Sequence, residues 1–475
     1  MNETKSSHSF SQTLGIYLGE SFAEYTMAGK SRRVYLPKEP LKKSLPLFLK
    51  SLDLHLNEGE KLRVRVSYGF LERIISFKLG GTLAVLVTDG FEKWADLRES
   101  APWQNSMSNP DLVFPVRERI SATGEVVENL ELSSLEAIAD KLAQMSVKRV
   151  AIQFLHSDVN PTHLKLAESF FQSRNYEIFS TSSSDDEVAD WRRALLDAGL
   201  SGTFEELTRE LTEAITSTAL EVELEFHSSQ GFSYSASDSQ SKSRRVETML
   251  SHYELAAKFL RSKVAEQGFY FGIEGFCEIN AKQIEKSWNS PWGRISAQHP
   301  FYKAMPIQPT SVLEVDGFGD LSFRNQGAGF EPGPICLGRG QSVQWLDLFA
   351  EDIQQLGIPG ISELILETRS AKLNGTLMSL RKATNHSARD NQALIDNLKK
   401  QSIQLLYSRM LGKRRPLIFG PLAPLIISKN PIPQVLLAVN SSASSSVALS
   451  TAWPIQTCKD SAFALSQSLV EGSRI

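Results

Sequence analysis

The chain has 475 residues, of which 41% are hydrophobic and 22% are charged, so it can bury a substantial core and is long enough for two or more domains. Lys and Arg number 51 against 54 Asp and Glu, and a net charge of -3 gives no basic field that would favour nucleic acid or an anionic membrane. Cys277, Cys336 and Cys458 lie far apart without a Cys-x-x-Cys pair, which argues against a disulfide framework and a zinc clip.

The N-terminus, residues 1–12, is polar and lacks the apolar core of a signal peptide. No apolar run of the sequence approaches the ~20 residues that span a bilayer. We therefore expect a cytoplasmic protein.

The first predicted elements are β-strands. Leu14–Tyr25 alternates apolar and small residues and ends near Gly29, which indicates a strand and a hairpin. Leu62–Tyr68 and Thr82–Thr88 are rich in β-branched residues and are predicted to be strands.

The next segments alternate between helix and strand. Leu135–Met145 has helical spacing, Arg149–Leu155 is typical of a buried strand, and Asn160 with Pro161 is expected to open another helix. Such alternation predicts an α/β fold.

Four later segments complete this prediction. Ser180–Glu187 is rich in Ser and Asp and is the best candidate for a domain boundary. Ser233–Ser243 is predicted to be an exposed loop, and Ser370–Arg409 to be helical. Pro416–Ile427 is apolar but broken by glycine and proline, which predicts a strand that feeds a tight turn.

The stretch Phe330–Gly340 contains two prolines and three glycines in eleven residues, a composition that fixes a backbone path. With Gly327-Ala328-Gly329 before it, it resembles the Gly-Ala-Asp-Pro-Gly-Pro-Ala-Cys-Tyr-Gly-Arg-Gly segment of the A-type subunits of the hydantoinase/oxoprolinase family. Ala151–His163 is similar to that family's Ala-Val-x-Phe-Leu-His-Ser-x-x-Asn-Pro-x-His. Further similar blocks follow the family's order, and the resemblance spans nearly the whole chain: Ser67–Arg73, Thr82–Leu97, Val116–Leu130, Phe226–Phe232, Arg245–Ser251 and Ser311–Gly340.

The resemblance implies the two-lobed α/β fold of actin, sugar kinases and Hsp70, which is ribonuclease H-like. In that fold two lobes clasp a nucleotide between glycine-rich hairpins. It also implies an A-type subunit that works with a B-type subunit on cyclic amides or imides such as 5-oxoproline and hydantoins, or in ATP-dependent carboxylation of ketones.

The first phosphate hairpin departs from the family pattern. Phosphate binding needs backbone amides exposed at glycine turns and an acidic residue that holds the metal. The family has Asp-x-Gly-Gly-Thr, whereas this chain has Tyr17-Leu18-Gly19-Glu20-Ser21. Gly19 and the Ser21 hydroxyl survive, while the aspartate has become Tyr17 and the second glycine has become Glu20.

Other loops of the expected nucleotide cleft depart as well. Phe269–Cys277 stands where the family has Phe-Asp-Met-Gly-Gly-Thr-Ser-Thr; Gly275 survives, and Glu274 replaces the missing acid if the register slips by two. Ser251–Ala256 lacks the glycines of the family's Ser-Gly-Pro-Ala-Ala-Gly loop, and Gly420 is what survives of a late Gly-Gly-Ala-Gly-Pro. We expect both hairpins, with Gly420, to face one cleft.

The functions of three other reactive side chains are less clearly indicated by the sequence. His156 and His163 suggest metal or acid/base roles, but in this motif they are expected to cap the turn and hydrogen-bond to it. Cys336 lies in the rigid loop without an evident base, so a nucleophilic role is not favoured.

The sequence thus predicts a degenerate A-type subunit with a vestigial nucleotide cleft at Gly19, Ser21, Glu274, Gly275 and Gly420. Its expected domains are an N-terminal domain over 12–185, an A-like domain over 186–455 and a tail over 456–475. The predicted role is that of a non-catalytic structural or regulatory partner of a B-type or another A-type subunit, with no cofactor and no metal. The alternative is an ATP- and Mg-dependent hydrolase of cyclic amides or a ketone carboxylase subunit, and no catalytic residue is assigned.

Overall fold

The computed structural model describes most of the chain. The ranges it describes are 12–52, 61–69, 82–95, 110–180, 187–218, 220–237, 245–290, 293–325, 333–338, 340–365, 370–383, 390–410, 416–429 and 462–471.

The strands of these ranges are numbered in chain order. They are β1 (Thr13–Leu18), β2 (Phe22–Met27), β3 (Lys30–Tyr35), β4 (Leu62–Tyr68), β5 (Leu83–Thr88), β6 (Val113–Val116), β7 (Arg119–Ile120), β8 (Val126–Glu128), β9 (Arg149–Gln153), β10 (Glu177–Phe179), β11 (Val222–His227), β12 (Ser233–Ser235), β13 (Gln267–Phe271), β14 (Phe276–Ser290), β15 (Gly293–Ala304), β16 (Val312–Val315), β17 (Leu321–Arg324) and β18 (Leu417–Phe419).

The helices are numbered in the same way. They are α1 (Leu41–Lys50), α2 (Leu132–Gln144), α3 (Thr162–Gln172), α4 (Glu187–Thr216), α5 (Arg245–Met249), α6 (Ser251–Ser262), α7 (Trp345–Leu348), α8 (Ala350–Leu356), α9 (Ser370–Ala383), α10 (Asn391–Met410), α11 (Ala423–Ser428) and α12 (Ala464–Glu471). Short 3-10 turns occur at Glu92–Ala95, Pro110–Leu112, Ile335–Leu337 and Ser362–Leu364.

The first sheet has six strands in the order β12-β11-β4-β1-β2-β3. β1, β2 and β3 form an antiparallel meander, and β4 pairs with β1 in parallel. Leu14 and Ile16 of β1 pack in one core with Leu45 of α1, while Tyr17 on the opposite face packs with Leu465 of α12. Both faces of β1 are therefore buried, which explains why its sequence carries no charge.

A second sheet repeats this arrangement with four strands in the order β15-β14-β13-β18. β13 pairs antiparallel with β14 and parallel with β18, as β1 pairs with β2 and β4. The β1–β2 hairpin and the β13–β14 hairpin are thus equivalent elements of two similar lobes.

The remaining four-stranded sheet is entirely parallel, in the order β10-β9-β5-β6. Helices α2 and α3 contribute Leu135, Leu142 and Phe171 to its core. Parallel strands buried on both faces consist of near-continuous apolar runs, which is the pattern of β5. Two-stranded ribbons, β7–β8 and β16–β17, complete the described sheets.

Most predicted elements are confirmed, and two need correction. Ser233–Ser235, predicted as part of an exposed loop, forms the edge strand β12 because buried Tyr234 pairs opposite Phe226 of β11. Residues 238–244 of that predicted loop lie outside the described ranges. In Pro416–Ile427 the strand β18 is present, but the turn is followed by helix α11, which tolerates Pro424 because that residue lies in the first helical turn.

The predicted boundary near residue 185 does not coincide with the edge of a sheet. β11 and β12 lie beyond it in sequence, yet β11 pairs with β4 of the first sheet. The domain limits at 185 and 455 stay predictions. Within the part of the chain that is described, no helix is long and apolar enough to cross a membrane.

Candidate functional site

The turn between β1 and β2 exposes a set of backbone N–H groups. Gly19 closes the turn by donating its N–H to the carbonyl of Phe22 at 2.8 Å. The N–H groups of Glu20, Ser21 and Phe22 point away from the strand ladder towards one point. Convergent backbone N–H groups at a turn form an anion-binding concavity.

The carboxylate of Glu274 fills this concavity. Glu274 lies in the β13–β14 turn, which closes in the same way, with the Gly272 N–H donating to the Gly275 carbonyl at 2.9 Å. Glu274 Oε2 accepts the Glu20 N–H at 3.0 Å, and Oε1 accepts the N–H groups of Ser21 at 2.5 Å and of Phe22 at 3.2 Å. One carboxylate therefore satisfies three backbone donors of the opposite hairpin.

Gly19 permits this close approach. A Cβ atom built on Gly19 would lie 1.8 Å from Glu274 Oε2 and 2.7 Å from the carboxyl carbon, distances that real Cβ atoms do not show. The space that a side chain would take, directly over the turn, holds the Glu274 carboxylate instead.

Tyr17 occupies the position of the aspartate that the resemblance leads one to expect. Its side chain is buried and reaches Gly69, where a Cβ would lie 2.4 Å from the Tyr17 hydroxyl oxygen. Burial, followed by the nearby charge of Glu274, raises the pKa of Tyr17 well above 10. A phenol that stays protonated donates a hydrogen bond and does not provide the anionic oxygen that Mg²⁺ prefers.

The protonation of Glu274 is set by opposing effects. Burial raises the pKa of its carboxyl to about 8, and the adjacent Glu20 carboxylate acts in the same direction. The N–H groups of Ser21, Glu20 and Phe22 oppose this shift because they stabilise the ionised form.

The other predicted cleft residues support the second hairpin. Gly420 has a φ of 101° at the end of β18, and a Cβ there would lie 2.7 Å from the Phe271 carbonyl oxygen. Gly275 is followed by Phe276, whose N–H donates to Gln308 Oε1 at 2.7 Å. Gln308 also donates to the Phe276 carbonyl at 3.0 Å, so its side-chain amide pairs with both backbone groups of Phe276 and stabilises the β13–β14 hairpin. The sequence contained no signal for this role of Gln308.

Two further predicted loops have structural roles. Ser251–Ala256 forms the start of α6, and Ser251 Oγ lies 2.6 Å from Ser67 Oγ of β4. In the Pro/Gly-rich loop, Gly333 is buried with a φ of 81°, and Cys336 is buried with its N–H bound to Asp347 Oδ1 at 2.7 Å. Burial raises the pKa of the Cys336 thiol well above its usual range, so it stays protonated and is not an activated nucleophile. Pro332 lies outside the described residues.

A second polar cluster lies at the carboxyl edge of the parallel sheet. His163 Nδ1 is 2.8 Å from Glu118 Oε2, and Thr88 Oγ1 donates to Glu118 Oε1. The same Thr88 oxygen accepts the Leu155 N–H at 2.9 Å. His163 thus hydrogen-bonds to Glu118, 45 residues away, and not to the turn that it was expected to cap. The network fixes the start of the loop that leads to His156.

His156 joins two carboxylates that the sequence analysis did not connect with it. The His156 N–H donates to Glu187 Oε1, and His156 Nδ1 lies 3.9 Å from Glu187 Oε2. One ligand-type atom from each of His156, Asp158 and Glu187 lies within 4.8 Å of the other two. Glu187 was missed because it begins α4, 31 residues after His156.

Parts of the chain are similar to known proteins. Residues 70–174 match the model of the hydantoinase/oxoprolinase N-terminal region. An uncharacterised protein of Methanocaldococcus jannaschii is 22% identical over 300 residues, which cover 57% of this chain and 41% of that protein.

Two solved structures are similar in fold. Nucleotide-free acetone carboxylase, from work on ATP-dependent acetone carboxylation, superposes with a TM-score of 0.65 at 13% identity, covering 87% of this chain and 66% of that one. ATP-dependent caprolactamase from Pseudomonas jessenii superposes with a TM-score of 0.62 at 16% identity, covering 88% and 66%. These likenesses confirm the predicted α/β, actin-like fold class. The chain spans less than two thirds of the length of each of these three proteins.

Proposed function

We propose that this chain, whose residues 70–174 match the hydantoinase/oxoprolinase N-terminal region, is a degenerate A-type subunit of that family. In this role it serves as a structural or regulatory partner and does not turn over ATP by itself. The proposal is carried by one observation, the Glu274 carboxylate bound to the backbone N–H groups of the first hairpin. That carboxylate lies where the fold would present its amides to a phosphate.

The residues present do not fit the phosphates of a nucleotide. Above its pKa of about 8 the Glu274 carboxyl is ionised, and a carboxylate about 4 Å from a phosphate oxygen costs on the order of 4 kcal/mol at an effective dielectric of roughly 20. Below that pH a phosphate must displace a protonated carboxyl that accepts three backbone hydrogen bonds, each contributing about 0.5–1.5 kcal/mol. Either cost is a large part of the ~8 kcal/mol that a micromolar complex represents.

Two neighbouring residues add to the mismatch. Tyr17 replaces the acidic residue and has a raised pKa, so it supplies no anionic ligand for a phosphate-bound metal. Glu20, on the first turn itself, brings a second carboxylate near the same N–H groups and raises the pKa of Glu274. Both features disfavour a magnesium-bound polyphosphate.

The partner follows from the family resemblance. A-type subunits of this family work with B-type subunits, and a structural or regulatory role requires a partner on which to act. We therefore propose a B-type subunit, or another A-type subunit, as the partner.

One variant tests whether the first hairpin is an anion site closed by Glu274. In Glu274→Ala the three N–H groups are exposed, so we expect inorganic pyrophosphate to bind at least about tenfold more tightly than to the wild type, by isothermal titration. Glu363→Ala removes an exposed carboxylate elsewhere and serves as the matched control. Equal pyrophosphate affinity in the wild type and Glu274→Ala would remove the basis of the proposal.

The enzyme alternative has one observation in its favour. Glu274 is an acidic residue on the second hairpin, where an ATP-dependent hydrolase or carboxylase of this fold would need one, and its pKa of about 8 lies near neutrality. Under this alternative Glu274 turns away from the first hairpin when Mg-ATP binds. Tight Mg-ATP binding that depends on Glu274 would distinguish it from the favoured function.

A further inference from the structure

The parallel sheet has a topological switch point between β5 and β9. From β5 the chain passes to β6 on one side, and from β6 it returns through α2 to β9 on the other side of β5. In open parallel sheets, ligands bind outside the carboxyl ends of the strands at such a point. His156 and Asp158 follow the carboxyl end of β9, and Glu187 begins the helix α4 that packs on this sheet.

We propose that His156, Asp158 and Glu187 bind a divalent transition-metal ion of the Zn²⁺ type at this edge. One imidazole nitrogen and two carboxylate oxygens are a donor set that such ions accept, and three protein ligands leave a position open for water or a small oxygen ligand. The site is separate from the hairpin cleft and goes beyond the proposed function.

The distances suit a single ion. Ligand atoms that are each about 2.1 Å from a tetrahedral metal lie about 3.4 Å apart. His156 Nδ1 and Glu187 Oε2 are 3.9 Å apart, which exceeds that separation by roughly half an ångström. The three atoms lie within 4.8 Å of one another, and Asp158 is exposed, so its side chain can move towards the other two when an ion binds.

The surroundings favour a cation. Asp190 brings a further carboxylate close to those of Asp158 and Glu187, so negative charge is concentrated at this edge. Glu187 also uses only Oε1 to accept the His156 N–H, so Oε2 can turn to a metal without loss of that bond. Thr88 of the Thr88–Glu118–His163 network accepts the N–H of Leu155, the residue before His156. This bond keeps the start of the loop, and with it His156, in place before any ion binds.

The test is a titration of the full chain with Zn²⁺ alone, in competition with a chromophoric chelator. We expect one tight equivalent for the wild type and a loss of affinity of about tenfold or more in Asp158→Asn and in Glu187→Gln. Asp158→Asn changes an exposed side chain, and Glu187→Gln keeps an acceptor for the His156 N–H, so both should retain the wild-type melting curve. Asp140→Asn, which removes an exposed carboxylate of α2, should bind Zn²⁺ as the wild type does.

Two results would overturn the proposal. One is the absence of a tight equivalent in the wild type, which would leave Glu187 as a hydrogen-bond acceptor for the loop and nothing more. The other is tight binding that Asp158→Asn leaves unchanged, which would place the ion elsewhere, for example on cysteine. If Glu187→Gln melts at a lower temperature than the wild type, the Zn²⁺ affinity of Asp158→Asn alone tests the proposal. No described contact of the fold depends on the exposed Asp158 side chain.

Discussion

Glu274 links the two lobes because it lies in the β13–β14 turn and its carboxylate accepts hydrogen bonds from the backbone of the β1–β2 turn. Convergent N–H groups of this kind can also bind a phosphate group, so under the proposed function Glu274 takes the place of a phosphate. Its position directly over Gly19 requires a residue without a side chain there.

Gly19→Ala tests this packing at its tightest point. The new methyl group would take the place of Glu274 Oε2, so the carboxylate must leave its three donors or the turn must deform. We expect the free energy of unfolding, measured with urea, to fall by about 1–3 kcal/mol.

The matched control is Gly375→Ala in helix α9. A Cβ there meets nothing within 4 Å, and alanine favours a helix over glycine by about 1 kcal/mol, so its stability should be unchanged or slightly higher. Equal stability of Gly19→Ala and the wild type would mean that the carboxylate does not sit over the turn in solution.

The ionisation of Glu274 should make stability depend on pH. Its pKa is about 8 in the folded protein against 4.5 for an ordinary glutamate, so the folded state holds the proton more tightly than the unfolded state. This contribution is complete below pH 4.5 and is lost as the pH rises through 8. The stability of the wild type relative to Glu274→Gln should therefore fall between pH 5 and pH 8, by on the order of a few kcal/mol.

Urea unfolding of both proteins across that range measures the difference. Contributions from other titrating groups, including buried His227 and half-buried His252, cancel because both proteins contain them. A relative stability that rises with pH would show that the three N–H groups outweigh burial and hold the carboxylate ionised.

At the scale of elements, a strand or helix with one buried face could be predicted from the regular spacing of its apolar residues. Leu62–Tyr68 was predicted with its observed bounds, and α2 to within a few residues, because their apolar residues recur at the periods of strand and helix. β5 was predicted to within one residue from its run of residues that favour strands. β12 was missed since a lone apolar residue, Tyr234, sits among serines, and an edge strand needs only one buried side chain and a paired neighbour.

The contacts within the candidate sites were less predictable from the sequence than the strands and helices. The sequence singled out Glu274 from its place beside Gly275, but not its contact with Ser21, 253 residues away in the chain. The cluster of His156 and Glu187 was missed for the same reason, since it depends on how α4 packs against the parallel sheet. Long-range pairings of this kind leave no periodic signal in one sequence.

The Pro/Gly-rich loop is predicted to stabilise the fold without taking part in chemistry. Gly333 is buried with a φ of 81°, a conformation that a β-branched residue strongly disfavours, so Gly333→Val should lower the free energy of unfolding by roughly a few kcal/mol. Gly317→Val, in an open turn where a Cβ meets nothing within 4 Å, is the control. A wild-type urea transition for Gly333→Val would argue against a structural role for the loop.

At the scale of the whole molecule, two sheets with the same strand arrangement bring equivalent hairpins face to face. The resemblance of the sequence to the hydantoinase/oxoprolinase family was enough to predict this architecture. The contact between the hairpins was not predictable, and it is this contact that supports a subunit whose nucleotide site is closed from within.

Isothermal titration of the wild-type chain with Mg-ATP tests the central claim most directly. We expect no binding in the micromolar range, because Glu274 occupies the N–H donors of the first hairpin and Tyr17 offers no metal ligand. A micromolar or tighter dissociation constant that Glu274→Gln abolishes would contradict it and would make Glu274 the metal anchor of a working ATPase.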